Sequence, residues 1–285
     1  MSEITAAAVK ALRERTGAGM MDCKRALQEA GGDEEQAIDI LRKSGAAKAA
    51  KRSHRDVSEG TVAIARDEAT GAVAMVEVAS ETDFVARNDD FLAFANRAAE
   101  TALAHAPTGE PRPGEELLDL PPEAPLGTEL DDLRARIGEN LALTRFVRFE
   151  PTPGGTLASY VHFGNRIGVL VELEGAGEST DLTALARDLA MHIAASRPAG
   201  ISPDDIPEEE RERERRVLIE QATAEGKPPE IAEKIVEGRM RKFYEQAALL
   251  WQPFVKDPDR KISDLLKEAG ADVAVTRFAR FDVTE

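Results

Sequence analysis

The apolar residues in the first 45 positions recur at helical spacing in three short runs. Thr5 can cap the first helix, which ends at Gly17, and Asp33 can cap the third, which ends at Gly45. The apolar positions of the three helices are Val9 and Leu12, then Met20, Met21, Ala26 and Leu27, then Ile38 and Leu41. Because helices this short are unstable alone, the pattern predicts a small bundle. The acid-free run GAAKAAKRSHR that follows is typical of a helical or mobile linker.

An alternation of apolar and polar residues replaces the helical period in GTVAIARDEATGAVAMVEV. This pattern predicts a hairpin that turns near Thr70-Gly71, and Asn88 can then cap a helix. The Pro-rich stretch 107–125 predicts an exposed connection. A helix from about Leu130 to Ile137 leads into the strand LALTRFVRFE. The order of these elements is typical of an α+β unit with a small antiparallel sheet.

The second half of the chain repeats the pattern of the first. GTLASYVHFGNRIGVLVEL has the same hairpin alternation, and LTALARDLAMHIAASRP repeats the helix. TRFVRFE at 144–150 recurs as TRFARFD at 276–282. We therefore expect two copies of one α+β lobe, with their sheets packed about a pseudo-twofold axis.

These repeats divide the chain into a three-helix head with its linker (1–55), a first lobe (56–150) and a second lobe (151–285). The first copy is longer around its strand-to-helix connection, which contains SETDFVARND. The second copy carries an insertion at about 204–246, where two helices joined by Gly226-Lys227-Pro228-Pro229 are predicted to form an antiparallel hairpin. The residues available for its seam are Val217, Leu218, Ile231, Ile235 and Phe243.

Charge and cysteine content narrow the function classes. A net charge of −16 argues against a broad nucleic-acid surface, because affinity for phosphates comes largely from Lys and Arg. The single cysteine, Cys23, excludes an intrachain disulfide and leaves no cysteine cluster for zinc, which suits a reducing cytoplasm. The N-terminus lacks the pattern of a signal peptide, and no stretch approaches ~20 apolar residues, so neither export nor a membrane is expected.

No constellation typical of catalysis is evident in the sequence. The four histidines have no metal-site spacing, and no serine or cysteine nucleophile motif accompanies them. TGAGMMDCK lacks the glycine and lysine spacing of a phosphate-binding loop, so it is either a plain interhelical turn or a turn that presents Met20 and Met21 to a partner. We expect no enzyme activity, no cofactor and no metal.

Two interpretations apply to Thr82-Asp83-Phe84-Val85, which lies where a predicted strand meets a helix. In the structural interpretation Thr82 or Asp83 caps the helix and Phe84 packs on it as a hydrophobic staple. In the functional interpretation Phe84 is exposed on a short loop and contacts a partner. The spacing alone favours the structural interpretation, and the extra length of this connection in only one of the two lobes adds some support to the functional interpretation.

Several long segments resemble the elongation factor Ts family. They are ITAAAVKALRERTGAGMMDCKRAL, ETDFVARND, SYVHFGNRIGVLVEL, AMHIAASRP and GKPPEIAEKIVEGRMRKF. The resemblance runs from near the first residue to the last, although the long Pro-rich connection departs from the family pattern. It implies that the head is a ubiquitin-associated-like domain and that the inserted hairpin is a coiled coil.

The resemblance also implies a function and a set of contacts. The expected function is guanine nucleotide exchange in translation elongation, in which the chain binds the GTPase elongation factor Tu, displaces Mg²⁺ and promotes GDP release. The segment Thr82 to Val85 is the one associated with Mg²⁺ displacement, with Phe84 as a wedge. The other implied contacts are Arg13, Met20, Met21 and Lys24 in the head and His162 in the second lobe. An adaptor without exchange activity, which binds a ubiquitin-like protein or acts through its coiled coil, is the alternative. The sequence leaves open whether chains dimerise through the complex.

Overall fold

The computed structural model describes residues 4–50, 54–175, 181–226 and 229–285. Its helices are α1 (Ala6–Thr16), α2 (Met20–Glu29), α3 (Glu34–Ala50), α4 (Asp83–Ala86), α5 (Asp89–His105), α6 (Leu126–Ile137), α7 (Leu182–Ser196), α8 (Glu208–Ala224), α9 (Pro229–Ala247) and α10 (Ile262–Ala269). Its strands are β1 (Glu59–Arg66), β2 (Val73–Ser80), β3 (Arg112–Pro113), β4 (Leu141–Phe149), β5 (Thr156–Val161), β6 (Ile167–Glu174), β7 (Pro253–Phe254), β8 (Asp257–Lys261) and β9 (Ala274–Asp282). Helices combined with small antiparallel sheets make this an α+β protein. Residues 51–53 of the predicted linker and 227–228 of the predicted helical connection lie outside the described residues.

The head is a bundle of α1, α2 and α3 whose predicted caps are confirmed. The Thr5 hydroxyl accepts a hydrogen bond from the Ala8 backbone N–H at 3.2 Å, and the Asp33 carboxylate accepts one from that of Gln36 at 2.9 Å. The buried residues of the bundle are Val9, Leu12, Cys23, Ala26, Leu27 and Ala37. Gly17 ends α1 in the left-handed conformation, at φ 66°. Periodicity and capping therefore located the three helices, although Met20 and Met21, which the pattern placed among the apolar positions, are exposed.

The predicted end of the third helix at Gly45 is wrong, because α3 continues through Gly45 to Ala50. Gly45 is buried, and a Cβ built on it would lie 2.9 Å from the Cβ of Ala135 in α6. The glycine therefore permits close packing of α3 on α6 and does not end the helix. The alanines that follow have high helix propensity and continue it.

The first lobe consists of a sheet with strand order β1-β2-β4-β3, covered by α5 and α6. The predicted β1–β2 hairpin and the Asn88 cap are confirmed, since the Asn88 side chain accepts from the N–H of Asp90 at 3.0 Å. The buried side of α5 carries Phe91, Phe94, Ala95, Ala98, Ala99 and Ala102. The core of this lobe thus lies between the sheet and α5.

The prediction of an exposed connection over 107–125 is partly wrong. The strand β3 pairs with β4, and Leu117 is fully buried in the lobe's core. A Cβ built on Gly114 would lie 2.0 Å from a backbone carbonyl oxygen of β4, so glycine permits the segment to approach the sheet. The following helix begins at Leu126, earlier than the predicted start at Leu130.

The second lobe has a sheet with strand order β5-β6-β9 covered by α7, and it also contains α8 to α10. The helices α8 and α9 pack along a seam of Leu218, Ala222, Val236 and Met240, with Phe243 beside it. The seam prediction was wrong for Val217 and Ile231, which are 41% and 51% exposed. Val217 precedes a seam residue by one position, and the helical rotation of about 100° per residue turns it away from α9.

The two sheets pack face to face. Their shared core contains Val62, Val73, Met75, Val147 and Phe149 from the first sheet and Leu157, Leu170, Ala279, Phe281 and Val283 from the second lobe. The register of the central strand shifts between Glu77 and Val78 in one sheet and between Glu172 and Leu173 in the other. The order β1-β2-β4 in the first sheet therefore corresponds to β5-β6-β9 in the second, with the irregularity at the same position, and the first sheet has the additional edge strand β3.

Candidate functional site

The segment Thr82-Asp83-Phe84-Val85 lies between β2 and α5, and its last three residues belong to α4. Thr82 has an extended backbone and caps α4, since its hydroxyl oxygen accepts from the Val85 N–H at 3.4 Å. The Ala86 N–H donates to the Thr82 carbonyl at 3.2 Å, which closes a single helical turn. A helix of one turn has no stability of its own. Its neighbours therefore determine the conformation of this segment.

Phe84 and Val85 point in opposite directions. Phe84 is 84% exposed, whereas Val85 is 9% exposed and belongs to the same buried cluster as Phe91 and Phe94. The structural interpretation of the motif is thus right that Thr82 is a cap and wrong that Phe84 packs on its own helix. A solvent-exposed phenylalanine ring on a hydrogen-bonded turn is suited to contact another protein.

Asp83 is ion-paired within its own turn. Its Oδ2 lies 3.1 Å from a guanidinium nitrogen of Arg87, and both side chains are substantially exposed. An exposed pair of this kind contributes at most about 1 kcal/mol. The Asp83 carboxylate can therefore exchange Arg87 for another partner at low cost. Sequence reasoning did not identify Arg87, although its i,i+4 spacing from Asp83 is the signal that would have done so.

Glu139 binds the turn from the connection between α6 and β4. Its Oε1 accepts from the Thr82 hydroxyl at 2.8 Å, and its Oε2 accepts from the Thr82 backbone N–H at 3.2 Å. Gly138, in the left-handed conformation at φ 83°, ends α6 directly before it. Sequence reasoning missed Glu139, since no local pattern indicates that it faces Thr82.

The four predicted contacts of the head all lie on its surface. Met20 and Met21 are 55% and 66% exposed at the start of α2, and Arg13 and Lys24 are exposed on α1 and α2. The inner side of α2 carries Cys23, Ala26 and Leu27. The three-helix packing thus leaves two adaptable methionine side chains and two cations exposed on the head.

His162 lies in the turn between β5 and β6 and is exposed. Its Nδ1 is 2.9 Å from the Tyr160 hydroxyl. The adjacent Phe163, which sequence reasoning did not single out, is 95% exposed. This turn therefore carries an aromatic residue as exposed as Phe84.

The His162 turn lies against the first lobe. The Val62 N–H donates to the Asn165 carbonyl at 2.6 Å, and a guanidinium nitrogen of Arg166 lies 2.8 Å from a carboxylate oxygen of Glu59. Glu59 is paired across the β1–β2 ladder with Ser80, the last residue of β2. The structure thus brings the His162 turn and the Thr82 turn to the same end of the first sheet.

Of the four histidines, His192 is the packed one. Its Nδ1 accepts from the Val255 backbone N–H at 3.3 Å, which leaves Nε2 to donate to the Gln252 side-chain oxygen at 2.9 Å. Burial lowers the pKa of His192, against an opposing hydrogen bond with Gln252. These contacts join α7 to the segment after α9, so His192 has a structural role. Within the described ranges, no group of three His, Cys, Asp or Glu side chains is placed to hold a metal ion, and no helix has the length and apolar character needed to cross a membrane.

Comparison with known proteins points to one family. A family model described as Elongation factor TS matches residues 81–285. The elongation factor Ts of Alkalilimnicola ehrlichii is 50% identical over 283 residues, which cover 99% of this chain and 92% of the relative. That of Thioalkalivibrio sulfidiphilus is 48% identical over 286 residues, with the same two coverages. That of Aquifex aeolicus is 44% identical over 281 residues and covers 96% of each chain.

Proposed function

This chain belongs to the elongation factor Ts family, and we propose that its Phe84 enters the nucleotide-binding domain of elongation factor Tu to promote GDP release. The chain is a nucleotide exchange factor of translation elongation, so it changes a binding equilibrium and makes or breaks no covalent bond. The observation that carries the proposal is the 84% exposure of Phe84 on a turn whose neighbouring residue, Val85, is buried. Burying the ring against a partner would contribute about 1.5 to 3 kcal/mol.

Nucleotide release requires differential binding. A GTPase holds GDP through a phosphate-binding loop, Mg²⁺ and ordered switch segments. A factor that lowers GDP affinity about a thousandfold must bind the nucleotide-free form better by roughly 4 kcal/mol. The coupling is reciprocal, so a returning nucleotide expels the factor. Phe84 supplies part of this energy, and wider contacts supply the remainder.

Asp83 acts on the Mg²⁺ site in this proposal. The carboxylate exchanges its ion pair with Arg87 for the water and protein neighbours of the metal, and Mg²⁺ is displaced. The exposure of both side chains supports this step, because breaking a solvated ion pair costs little. Thr82 and Val85 maintain the shape of the turn, one as its cap and the other through its burial.

The head and the second lobe provide the wider contacts with elongation factor Tu. Met20 and Met21 are exposed on the head, as are Arg13 and Lys24, and His162 lies on an exposed turn of the second lobe. In this proposal residues 1–55 form a ubiquitin-associated-like head with its linker, 56–150 and 151–285 form two duplicated lobes, and the α8–α9 pair is the family's coiled coil. Translation elongation places the chain in the cytoplasm.

Stopped-flow fluorescence of labelled GDP leaving elongation factor Tu tests the proposal. We expect Phe84→Ala to lower the second-order rate constant of stimulated release by about 10- to 100-fold, the equivalent of the ring's burial. Combining Asp83→Ala with Phe84→Ala should lower this rate constant further. Glu68→Ala is the matched control, since Glu68 is exposed in the turn at the opposite end of the β1–β2 hairpin.

The proposal fails if the Phe84→Ala, Asp83→Ala double variant stimulates release as well as the parent chain. An adaptor without exchange activity would leave the rate of GDP release unchanged in the parent as well. It would also remain bound to its partner when GDP and Mg²⁺ are added, whereas an exchange factor should be released. Affinity capture with and without the nucleotide therefore separates the two functions.

A further inference from the structure

Side-chain carboxylates extend the pairing of β2 with β4 beyond the ends of the strands. Glu81, just after β2, accepts a hydrogen bond from the Asn140 backbone N–H at 2.5 Å, and Glu139 accepts one from that of Thr82. The segment after β2 and the segment before β4 thus each donate a backbone N–H to a carboxylate of the other. Arg55 joins this network, since it lies 3.3 Å from a Glu81 oxygen and its carbonyl accepts from the Asn140 side chain at 2.9 Å.

We propose that Glu139 is a positioning residue for Phe84 and sets the direction of the ring before elongation factor Tu is bound. This inference rests on the proposed function of Phe84. The ring itself is 84% exposed, so its contacts with its own lobe are too few to orient it. Both oxygens of Glu139 are used on Thr82, the residue that caps the single turn carrying the ring. Glu139 therefore restrains the turn where its backbone begins.

Orientation before contact matters because ordering a flexible segment on binding reduces the affinity obtained from its contacts. Without Glu139, the Thr82 N–H and hydroxyl would bond to water and the one-turn helix would fray. Phe84 would then sample several directions, and fewer encounters would insert it. Removing Glu139 should therefore lower the rate of GDP release, and the decrease should depend on the presence of the Phe84 ring.

A double-mutant cycle separates this role from general support of the first lobe. The experiment measures stimulated release of labelled GDP from elongation factor Tu for the parent chain, Glu139→Ala, Phe84→Ala and the combined variant. We expect Glu139→Ala to lower the second-order rate constant about tenfold in the parent and less than about twofold when Phe84 is already alanine. Glu139→Gln, which retains one acceptor oxygen, should lose less than Glu139→Ala.

A second readout uses the chain alone. Hydrogen exchange of the Thr82 and Val85 amides should be faster in Glu139→Ala than in the parent and unchanged in the Glu68→Ala control. If thermal unfolding shows that Glu139→Ala is not folded, Glu139→Gln takes its place in the cycle.

The outcomes distinguish two failures. Three results would each overturn the positioning role of Glu139 while the wedge role of Phe84 stands. Glu139→Ala could lower the rate constant equally with and without Phe84, it could leave the rate of GDP release unchanged, or it could leave exchange of the Thr82 and Val85 amides unchanged. Parental exchange by Phe84→Ala would refute the proposed function itself, and the positioning role would fall with it.

Discussion

The guanidinium carbon of Arg145 lies 4.6 Å from the ring centroid of Phe281, across the interface between the two sheets. The corresponding pair, Arg277 and Phe149, has a distance of 4.3 Å. The first arginine of each TRF-x-RF repeat thus lies over the last phenylalanine of the other repeat. The two strands that look alike in the sequence are therefore reciprocal partners in the sheet interface.

We expect Arg277→Ala to lower the free energy of unfolding by about 1.5 to 3 kcal/mol, the range for a hydrogen bond to a charged group, because Arg277 is partly exposed. The Arg277 Nε lies 2.6 Å from Oε2 of Glu172, whose side chain is fully buried. The substitution therefore removes the charged partner of Oε2, while Oε1 keeps its hydrogen bonds from the Thr152 N–H and hydroxyl. Urea unfolding measures the change. Adding Glu172→Gln should recover most of the loss, and a loss below about 1 kcal/mol would show that the pair behaves as an exposed one.

We expect Phe163→Ala to weaken binding of nucleotide-free elongation factor Tu about tenfold and to leave the melting temperature unchanged. The ring is 95% exposed on a turn bonded to the first lobe, at the same end of the sheet as Phe84. Titration calorimetry gives the dissociation constant. Val255→Ala is the control, because Val255 is 44% exposed elsewhere on the second lobe. Equal affinities of the two variants would exclude Phe163 from the contact.

We expect Gly45→Ala to lower the melting temperature even though alanine exceeds glycine in helix propensity by about 1 kcal/mol. The added Cβ would lie 2.9 Å from that of Ala135, so α3 must move away from α6. Thermal unfolding followed by circular dichroism measures the effect. Ala135→Gly should restore stability when combined with Gly45→Ala. A melting temperature above that of the parent would show that the two helices are not closely packed.

The stability of the chain should fall as the pH decreases through about 6.5, the ordinary pKa of histidine. Burial lowers the pKa of His192 in the folded chain, so the unfolded chain binds a proton at a higher pH. The free energy of unfolding therefore decreases as the pH falls from the unfolded-state pKa to the folded-state pKa of His192, and below that pH this histidine causes no further decrease. Between about pH 7.5 and 5.5, the melting temperature of the parent should decrease more than that of His192→Gln. Parallel decreases would mean that His192 carries no such linkage.

The candidate site illustrates what local sequence patterns can predict. The cap at Thr82 follows from residue type and position, and the structure confirms it. The opposite directions of Phe84 and Val85 do not follow, because one helical turn contains too few residues to establish a periodicity. Glu139 is 57 positions from Thr82, so only the pairing of β2 with β4 brings the two residues together.

The longer segments of the sequence indicated the family. By itself, the sequence also determined the capped helices of the head, the two hairpins and the repeated TRF-x-RF strands, but not β3 or α10. These helices, hairpins and strands depend on hydrophobic periodicity and on capping, which are properties of residues close together in the sequence. The tertiary structure alone decided that Gly45 packs against α6, that the Pro-rich segment joins the first core, and that Phe84 is exposed to solvent while Glu139 bonds to its turn. The reason is that each of these depends on how closely a distant part of the chain approaches, and local patterns do not encode that distance.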